Sequence, residues 1–155
     1  MKYKNDIAKQ ELVIKEALDI IASRLKSGDK DKSFTSSKDT KNYLSLKMAT
    51  LENEHFKVLF MNTQHELLAD ETLFTGTIDG AAVYPREILK AALKHNAAAV
   101  ILAHNHPSGH AEPSQADRRI TKMIVEALAL IDVKVLDHII VGKNETVSFS
   151  ERGIL

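Results

Sequence analysis

Apolar residues recur at helical spacing near the start of the chain, and this pattern predicts an amphipathic helix over residues 7–25. The residues expected on its inward face are Ile7, Ile14, Leu18, Ile21 and Leu25. Ser27-Gly28-Asp29 ends this helix, and a polar, charged linker over 30–35 follows. A second helix is predicted from Ser37 to about Asn53, with Leu44, Met48 and Leu51 buried.

The pattern changes after Glu54, where aromatic and β-branched residues predict two strands over 55–61 and 67–74. Gly76 and Gly80 then interrupt the chain, and Pro85 fits the first turn of a third helix. The remaining predicted elements are a buried strand over 97–103, a helix over 114–130 and strands over 133–141 and 145–149. This order predicts an α/β domain of layered α/β/α type with a central mixed sheet, preceded by an N-terminal helix. We expect residues 1–35 to form that helix and its linker, and residues 36–155 to form the domain.

Composition narrows the classes of protein. The chain has 155 residues, of which 44% are hydrophobic and 27% charged, as is usual for one globular domain. It has no Cys, which excludes disulfides, Cys-based zinc fingers and a thiol nucleophile. Its 21 basic and 21 acidic residues balance, which argues against a strongly basic nucleic-acid binder. Because no apolar run approaches the length of a membrane span or a signal peptide core, we expect a soluble cytoplasmic protein without membrane contact.

The most informative segment follows the predicted buried strand. His104 and His106 are two residues apart, so on an extended chain both imidazoles point to the same side. Asp117 falls in the first turn of the helix that begins near Ser114, close to the end of that strand. Two imidazoles and one carboxylate form a common catalytic zinc site that leaves one coordination position for water.

Ser114-x-x-Asp117 also has a simpler interpretation. A serine three residues before an acid, ahead of an apolar helical run, is the pattern of a helix capping box that needs no metal. We expect competition between the two roles, because a ligating carboxylate oxygen cannot also fully satisfy the cap. The residues alone leave both interpretations open.

The spacing H-x-H-x7-S-x-x-D, formed here by His104, His106, Ser114 and Asp117, resembles the metal signature of the JAB/MPN+ (JAMM) family. Further segments are similar to the RadC-like branch of that family, and together they cover roughly residues 36–155. They are FTGT at 74–77, YPRE at 84–87, AHNHPSG at 103–109, DH at 137–138 and VSFSERG at 147–153. The resemblance implies the JAB/MPN layering, which is like that of cytidine deaminases.

The resemblance also implies an activity. His104, His106 and Asp117 would bind Zn²⁺, and a zinc-bound water would hydrolyse a peptide or isopeptide bond of a protein or peptide substrate. Ser114 would stabilise the oxyanion, and an acid from an earlier strand would be the general base. Glu54 matches that acid best, in competition with Glu52, Glu66, Glu71 and Glu87.

A second class of function is a non-proteolytic metal-binding module linked to DNA repair or recombination. Longer RadC-like proteins carry an N-terminal helix-hairpin-helix segment. In that place we expect this chain to have only its own first helix, and so at most weak or indirect DNA association. A zinc-dependent base deaminase is excluded, because its ligand set requires a P-C-x-x-C motif and this chain has no Cys. Oligomeric state does not follow from the sequence.

The remaining polar residues of interest are an Asp-His pair, one arginine and four further histidines. Asp137-His138 either supports a metal ligand or forms a structural pair within an apolar strand. Arg86 either anchors a substrate carboxylate or pairs with Glu87. The other histidines, His55, His65, His95 and His110, are expected at the surface.

Overall fold

The computed structural model describes residues 2–26, 37–76 and 82–155, and its elements follow the predicted order. The helices are α1 (Lys2–Lys26), α2 (Ser37–Met48), α3 (Pro85–Lys94) and α4 (Gln115–Ala129). The strands are β1 (His55–Met61), β2 (Leu67–Thr75), β3 (Ala99–Asn105), β4 (Lys134–Val141) and β5 (Thr146–Ser148).

The five strands form one mixed sheet in the order β2-β1-β3-β4-β5. β3 and β4 are parallel, whereas the other three neighbouring pairs are antiparallel. α4 connects the two parallel strands, as the crossover between parallel neighbours requires. The central position of β3 explains its burial on both faces and its continuous apolar sequence.

Helices cover both faces of this sheet, so the predicted α/β/α layering is confirmed. On one face α2 and the C-terminal half of α1 pack against a core that includes Leu59 and Ile101. On the other face α3 and α4 pack against a core that includes Val58 and Leu102. Alternation along β1 and β3 thus assigns even-numbered residues of both strands to the α3–α4 face and odd-numbered ones to the α1–α2 face.

The predicted inward face of the first helix is buried only in part. The first helix does not bury its whole apolar face, since Ile7 and Ile14 are 55% and 41% exposed while Leu18 and Ile21 pack on the core. The side chain of Leu25, the expected helix end and linker over 27–35, and the break around Gly80 lie outside the described residues. Within the described part of the chain, no helix combines the length and the apolar character that crossing a bilayer requires.

Two boundary shifts bear on the site. α2 ends at Met48 rather than near Asn53, and the segment that follows it runs to β1 as irregular chain. β3 ends at Asn105, two residues later than predicted, so His104 lies within the strand and His106 directly after it. His104 is therefore fixed by the ladder of the sheet as well as by its own contacts.

Candidate metal centre

Three side chains converge at the carboxyl end of β3, and we call His104, His106 and Asp117 the metal centre. The two Nε2 atoms of the histidines lie 2.9 Å apart. Asp117 Oδ1 lies 3.2 Å from His104 Nε2, and Asp117 Oδ2 lies 3.3 Å from His106 Nε2. The His104 side chain is 1% exposed, whereas those of His106 and Asp117 are 17% and 14% exposed, so the centre is accessible from one side.

These separations fit a zinc ion. Ligand atoms at ordinary Zn–N and Zn–O distances in a tetrahedron are about 3.3–3.4 Å apart. The observed 2.9–3.3 Å is close to this range. Imidazole nitrogen and carboxylate oxygen are also the donor types that Zn²⁺ takes in catalytic sites. The same three residues form the one group of potential metal ligands found in the described part of the chain.

The carboxylate of Asp117 serves the helix cap as well. The Ser114 N–H donates to Asp117 Oδ2 at 2.7 Å, and the Asp117 N–H donates to Ser114 Oγ at 3.0 Å, which is a complete capping box. Because a carboxylate has about four lone-pair sites, one hydrogen bond to Oδ2 leaves Oδ1 and part of Oδ2 facing the histidines. The complete cap is therefore compatible with a carboxylate that faces both imidazoles, whereas we expected the two roles to compete.

The charges of the centre shift two pKa values in opposite directions. The hydrogen bond with Asp117 raises the pKa of His106 against the opposing effect of burial, and the negative charge of Glu54 adds to the rise. Burial by itself would raise the pKa of Asp117, but its hydrogen bonds with His104 and His106 hold it well below its usual range. The pair thus favours a carboxylate beside a positive charge.

A chain of hydrogen bonds fixes the tautomer of His104. The Thr121 hydroxyl donates to the Asp117 carbonyl oxygen at 2.6 Å, so its oxygen must accept from Nδ1–H of His138, also at 2.6 Å. Burial lowers the pKa of His138 well below its usual value, so this imidazole is neutral and its Nε2 is an acceptor. His104 Nδ1 lies 2.8 Å from that Nε2 and must donate to it. The lone pair of His104 is therefore on Nε2, which faces the centre.

His106 has the same tautomer for a different reason. Its Nδ1 lies 2.8 Å from the His110 carbonyl oxygen, which can only accept, so the proton is on Nδ1. With both imidazoles neutral, their lone pairs would point at each other across 2.9 Å, beside a carboxylate. Such an arrangement is stable only with a positive charge among these atoms, either an added proton or a cation.

Asp137 and His138 turn out to have separate roles. Asp137 accepts from the backbone N–H groups of His138 and Ser150 and from the Ser148 hydroxyl, so it organises the β4–β5 region. The imidazole of His138 contacts His104 and Thr121 instead. Asp137 thus matches the structural interpretation, and His138 matches the interpretation as support for a candidate ligand.

The loop after His106 is built against the β4–β5 turn. Gly109 has φ of +92°, a conformation that favours glycine, and its carbonyl oxygen accepts from the Lys143 N–H at 3.1 Å. At Gly142 a Cβ atom would lie 2.4 Å from the Gly109 carbonyl oxygen, so a side chain there would push the loop away. Glu145 also accepts from the Ala111 N–H at 2.8 Å. The turn therefore sets the path of the loop between His106 and Ser114.

Glu54 precedes β1 on the side of the metal centre. Phe56 pairs with His104 in the antiparallel register, so Glu54, two residues before Phe56, and His106, two residues after His104, lie at the same end of the sheet. Glu54 is half-buried, and its charge is among those that raise the pKa of His106. The competing acids Glu66, Glu71 and Glu87 contact Asn62, His95 and Lys90 respectively, and Glu52 is exposed.

The comparisons with known proteins agree with this geometry. A family model described as a RadC-like JAB domain matches residues 34–154, which is most of the chain. This chain belongs to the RadC-like JAB family. The family and the His-His-Asp group together identify it as a candidate metal-binding JAB protein.

Relatives of this RadC-like chain differ in length. UPF0758 protein VP0184 of Vibrio parahaemolyticus is 56% identical over 133 residues, which are 86% of this chain and 58% of that protein. UPF0758 protein YeeS of Escherichia coli K12 is 57% identical over 122 residues, which are 79% of this chain and 82% of that protein. A UPF0758 protein of Vibrio cholerae is 53% identical over 148 residues, or 96% of this chain and 91% of that protein. The chain thus spans little more than half of some relatives, and none of these names states an activity.

Sequence reasoning on the RadC-like chain missed two residues next to the centre. Thr121 lies four residues after Asp117 and therefore on the same face of α4, a spacing that could have been noticed. Asn105 stands between the two histidines but points to the opposite face, and its contacts are with residues fifty positions away. Of the remaining histidines, His110 is exposed as expected, whereas His55, His65 and His95 are half-buried, and His95 lies 2.6 Å from Glu71. Arg86 is 82% exposed and 3.9 Å from Glu87.

Proposed function

We propose that this protein is a zinc-dependent hydrolase of JAMM type that cleaves a peptide or isopeptide bond. The observation that carries the proposal is the convergence of two imidazole lone pairs and a carboxylate within 2.9–3.3 Å of one another. His104, His106 and Asp117 would hold the zinc, and family membership supports the same assignment. Zinc bound there would supply a water with a pKa lowered to about 7 and a Lewis acid for a substrate carbonyl.

Glu54 would be the general base and then the general acid. Its position just before β1, at the same end of the sheet as His106, and its electrostatic effect on that imidazole support this role. A carboxylate beside a hydrolytic site takes a proton from the attacking water and returns it to the leaving amine, which is the sequence that amide hydrolysis needs.

Ser114 would stabilise the negative charge that develops on the substrate carbonyl oxygen. In the cap, Ser114 Oγ is the acceptor for the Asp117 N–H, so the cap does not consume its hydroxyl proton. Ser114 is exposed beside Asp117, and a donor in this position acts as one arm of an oxyanion hole.

The metal content of the purified protein and the behaviour of Glu54→Gln test this proposal together. We expect about one zinc per chain in both proteins, because Glu54 is outside the ligand set. Hydrolysis of a peptide or isopeptide library, followed by mass spectrometry, should fall at least about 100-fold in Glu54→Gln, since general acid–base catalysis contributes that much or more.

The controls separate this proposal from a metal-binding module without hydrolysis. Glu52→Gln changes a neighbouring exposed acid and should keep full activity. Equal hydrolysis in Glu54→Gln and the parent would remove Glu54 as the base. Stoichiometric zinc without hydrolysis of any library member would instead favour the non-proteolytic module.

A further inference from the structure

Asn105 is a buried polar residue that the proposed chemistry does not use. It lies at the end of β3 between the two candidate ligands, and it is 2% exposed. Because side chains alternate along a strand, its amide points to the α1–α2 face, away from the imidazoles. It therefore cannot join the metal centre directly.

The amide of Asn105 instead holds the chain on both sides of Glu54. Its Oδ1 accepts from the His55 N–H at 2.8 Å, and its Nδ2 donates to the Asn53 carbonyl oxygen at 2.9 Å. The carbonyl oxygen of Glu54 itself accepts from the Gly76 N–H at 2.7 Å. The backbone of Glu54 is thus fixed before, at and after the residue, although this segment precedes β1 and has no ladder of its own.

This arrangement links the position of the candidate ligands to the position of the proposed base, and a hydrolytic site must keep the distance between them constant. β3 carries His104 and leads into His106, and Asn105 ties the same strand to the segment that carries Glu54. A catalytic group has to be held within about 0.5 Å of its productive position, which irregular chain does not ensure without such a support. A side chain that joins both segments would couple the position of the carboxylate to the position of the ligands.

We infer that Asn105 is a positioning residue for Glu54, which it clamps by bonding to the main chain of residues 53 and 55. The inference rests on the proposed function, because it concerns the orientation of the proposed base. It assigns Asn105 no contact with substrate or metal.

A double-mutant cycle on the zinc-loaded protein tests the inference with acetohydroxamic acid as the probe. A hydroxamic acid that chelates zinc would pass its N–OH proton to a neighbouring carboxylate and remain hydrogen-bonded to it, so its affinity reports where that carboxylate lies. We expect Glu54→Gln and Asn105→Ala each to weaken binding about tenfold, as for loss of a hydrogen bond to a charged group. The double variant should be no weaker than the weaker single variant, because both changes remove the same contact.

Asn62→Ala is the matched control. Asn62 also bonds to the main chain, accepting from the N–H groups of Gln64 and Glu66, but it stands at the far end of β1. Its loss should lower stability and leave hydroxamate affinity unchanged. If Asn105→Ala does not fold, Asn105→Ser, which shortens the side chain beyond reach of both partners, replaces it.

The outcomes distinguish this inference from the proposed function. Additive effects of the two changes, parent-like affinity in Asn105→Ala, or loss of zinc from that variant would each overturn the positioning role while Glu54→Gln still weakens binding. Parent-like hydroxamate affinity in Glu54→Gln would overturn the proposed base, and this inference with it.

Discussion

Two groups of polar side chains lie on opposite faces of the same sheet, and they differ in how their donors and acceptors match. One is the metal centre on the α3–α4 face. The other, which we call the Asp70 cluster, lies on the α1–α2 face and consists of Tyr43, Lys47, Lys57 and Asp70. Both contain one carboxylate among partly buried groups, yet only in the metal centre do hydrogen-bond acceptors face each other.

The Asp70 cluster is complete as it stands. Asp70 Oδ2 accepts from the Tyr43 hydroxyl at 2.5 Å and from Lys47 Nζ at 2.7 Å, and Oδ1 accepts from Lys57 Nζ at 2.5 Å. Burial alone would raise the pKa of Asp70, but its hydrogen bonds with the lysines and the tyrosine lower it. Every acceptor has a donor, so the cluster has no need of a further ion.

In the metal centre the acceptors outnumber the donors. Its hydrogen-bond chains place protons on the far nitrogens of both imidazoles, and the near nitrogens and the carboxylate remain as acceptors. The same low-dielectric surroundings that make a matched cluster stable make such a set unstable without a positive charge. Matching of donors to acceptors, rather than burial or charge alone, separates a structural ionic cluster from a candidate ligand site.

The largest effect is expected for removal of a ligand. His104→Ala should abolish stoichiometric zinc binding, because only two ligands remain. The fall in zinc affinity should exceed the roughly 10–100-fold that is lost when a residue supporting a ligand is changed. Metal analysis and competition with a chelator measure this. His110→Ala, which alters an exposed histidine whose main chain alone contacts the centre, is the control. Equal zinc content in His104→Ala and His110→Ala would contradict the assignment.

The Asp70 cluster should respond in stability and leave the metal unaffected. Asp70→Asn leaves Lys57, whose side chain is 10% exposed, without its anionic partner, and such a change costs about 3 kcal/mol of unfolding free energy. Urea denaturation measures the loss, and zinc affinity should equal that of the parent. Asp132→Asn is the control, because Asp132 is exposed and its positive φ suits asparagine. A fall in zinc affinity for Asp70→Asn would show that the two clusters are coupled across the sheet.

A smaller fall in zinc affinity is expected when the chain of hydrogen bonds that supports His104 is broken. Thr121→Val keeps the shape but removes the acceptor for His138 Nδ1–H, so the His104 tautomer is no longer fixed. Zinc affinity should fall about tenfold, the lower end of the range for such supporting residues. Thr121→Ser keeps the hydroxyl and should restore the affinity. If the valine and serine variants bind zinc equally, the hydroxyl does not contribute to the site.

Local patterns predicted the layers of this fold and the candidate ligands, because helix and strand periodicity and the H-x-H-x7-S-x-x-D spacing are features of short segments. The end of α2 was not predictable in the same way. Leu51 continues the apolar spacing, but the chain around it bonds to Asn105, more than fifty residues away. The support of His104 by His138 is likewise a side-chain contact between the parallel strands β3 and β4, across 34 positions of the sequence. Such contacts depend on register, which no local pattern specifies.

The smallest expected effect concerns the contribution of the Asp70 cluster to stability at alkaline pH. Burial, followed by the hydrogen bond to Asp70, raises the pKa of Tyr43 to about 12. A raised pKa stabilises the folded state at pH values below about 10, the ordinary value for tyrosine, and this contribution disappears as the pH rises towards 12. Tyr43→Phe should cost about 1 kcal/mol at neutral pH and should lack this alkaline component. Urea denaturation between pH 9 and pH 12, with tyrosinate absorbance as a second signal, measures both. A parallel pH dependence in parent and variant would mean that folding does not raise the pKa of Tyr43, and the cluster would then be less tightly matched than its geometry indicates.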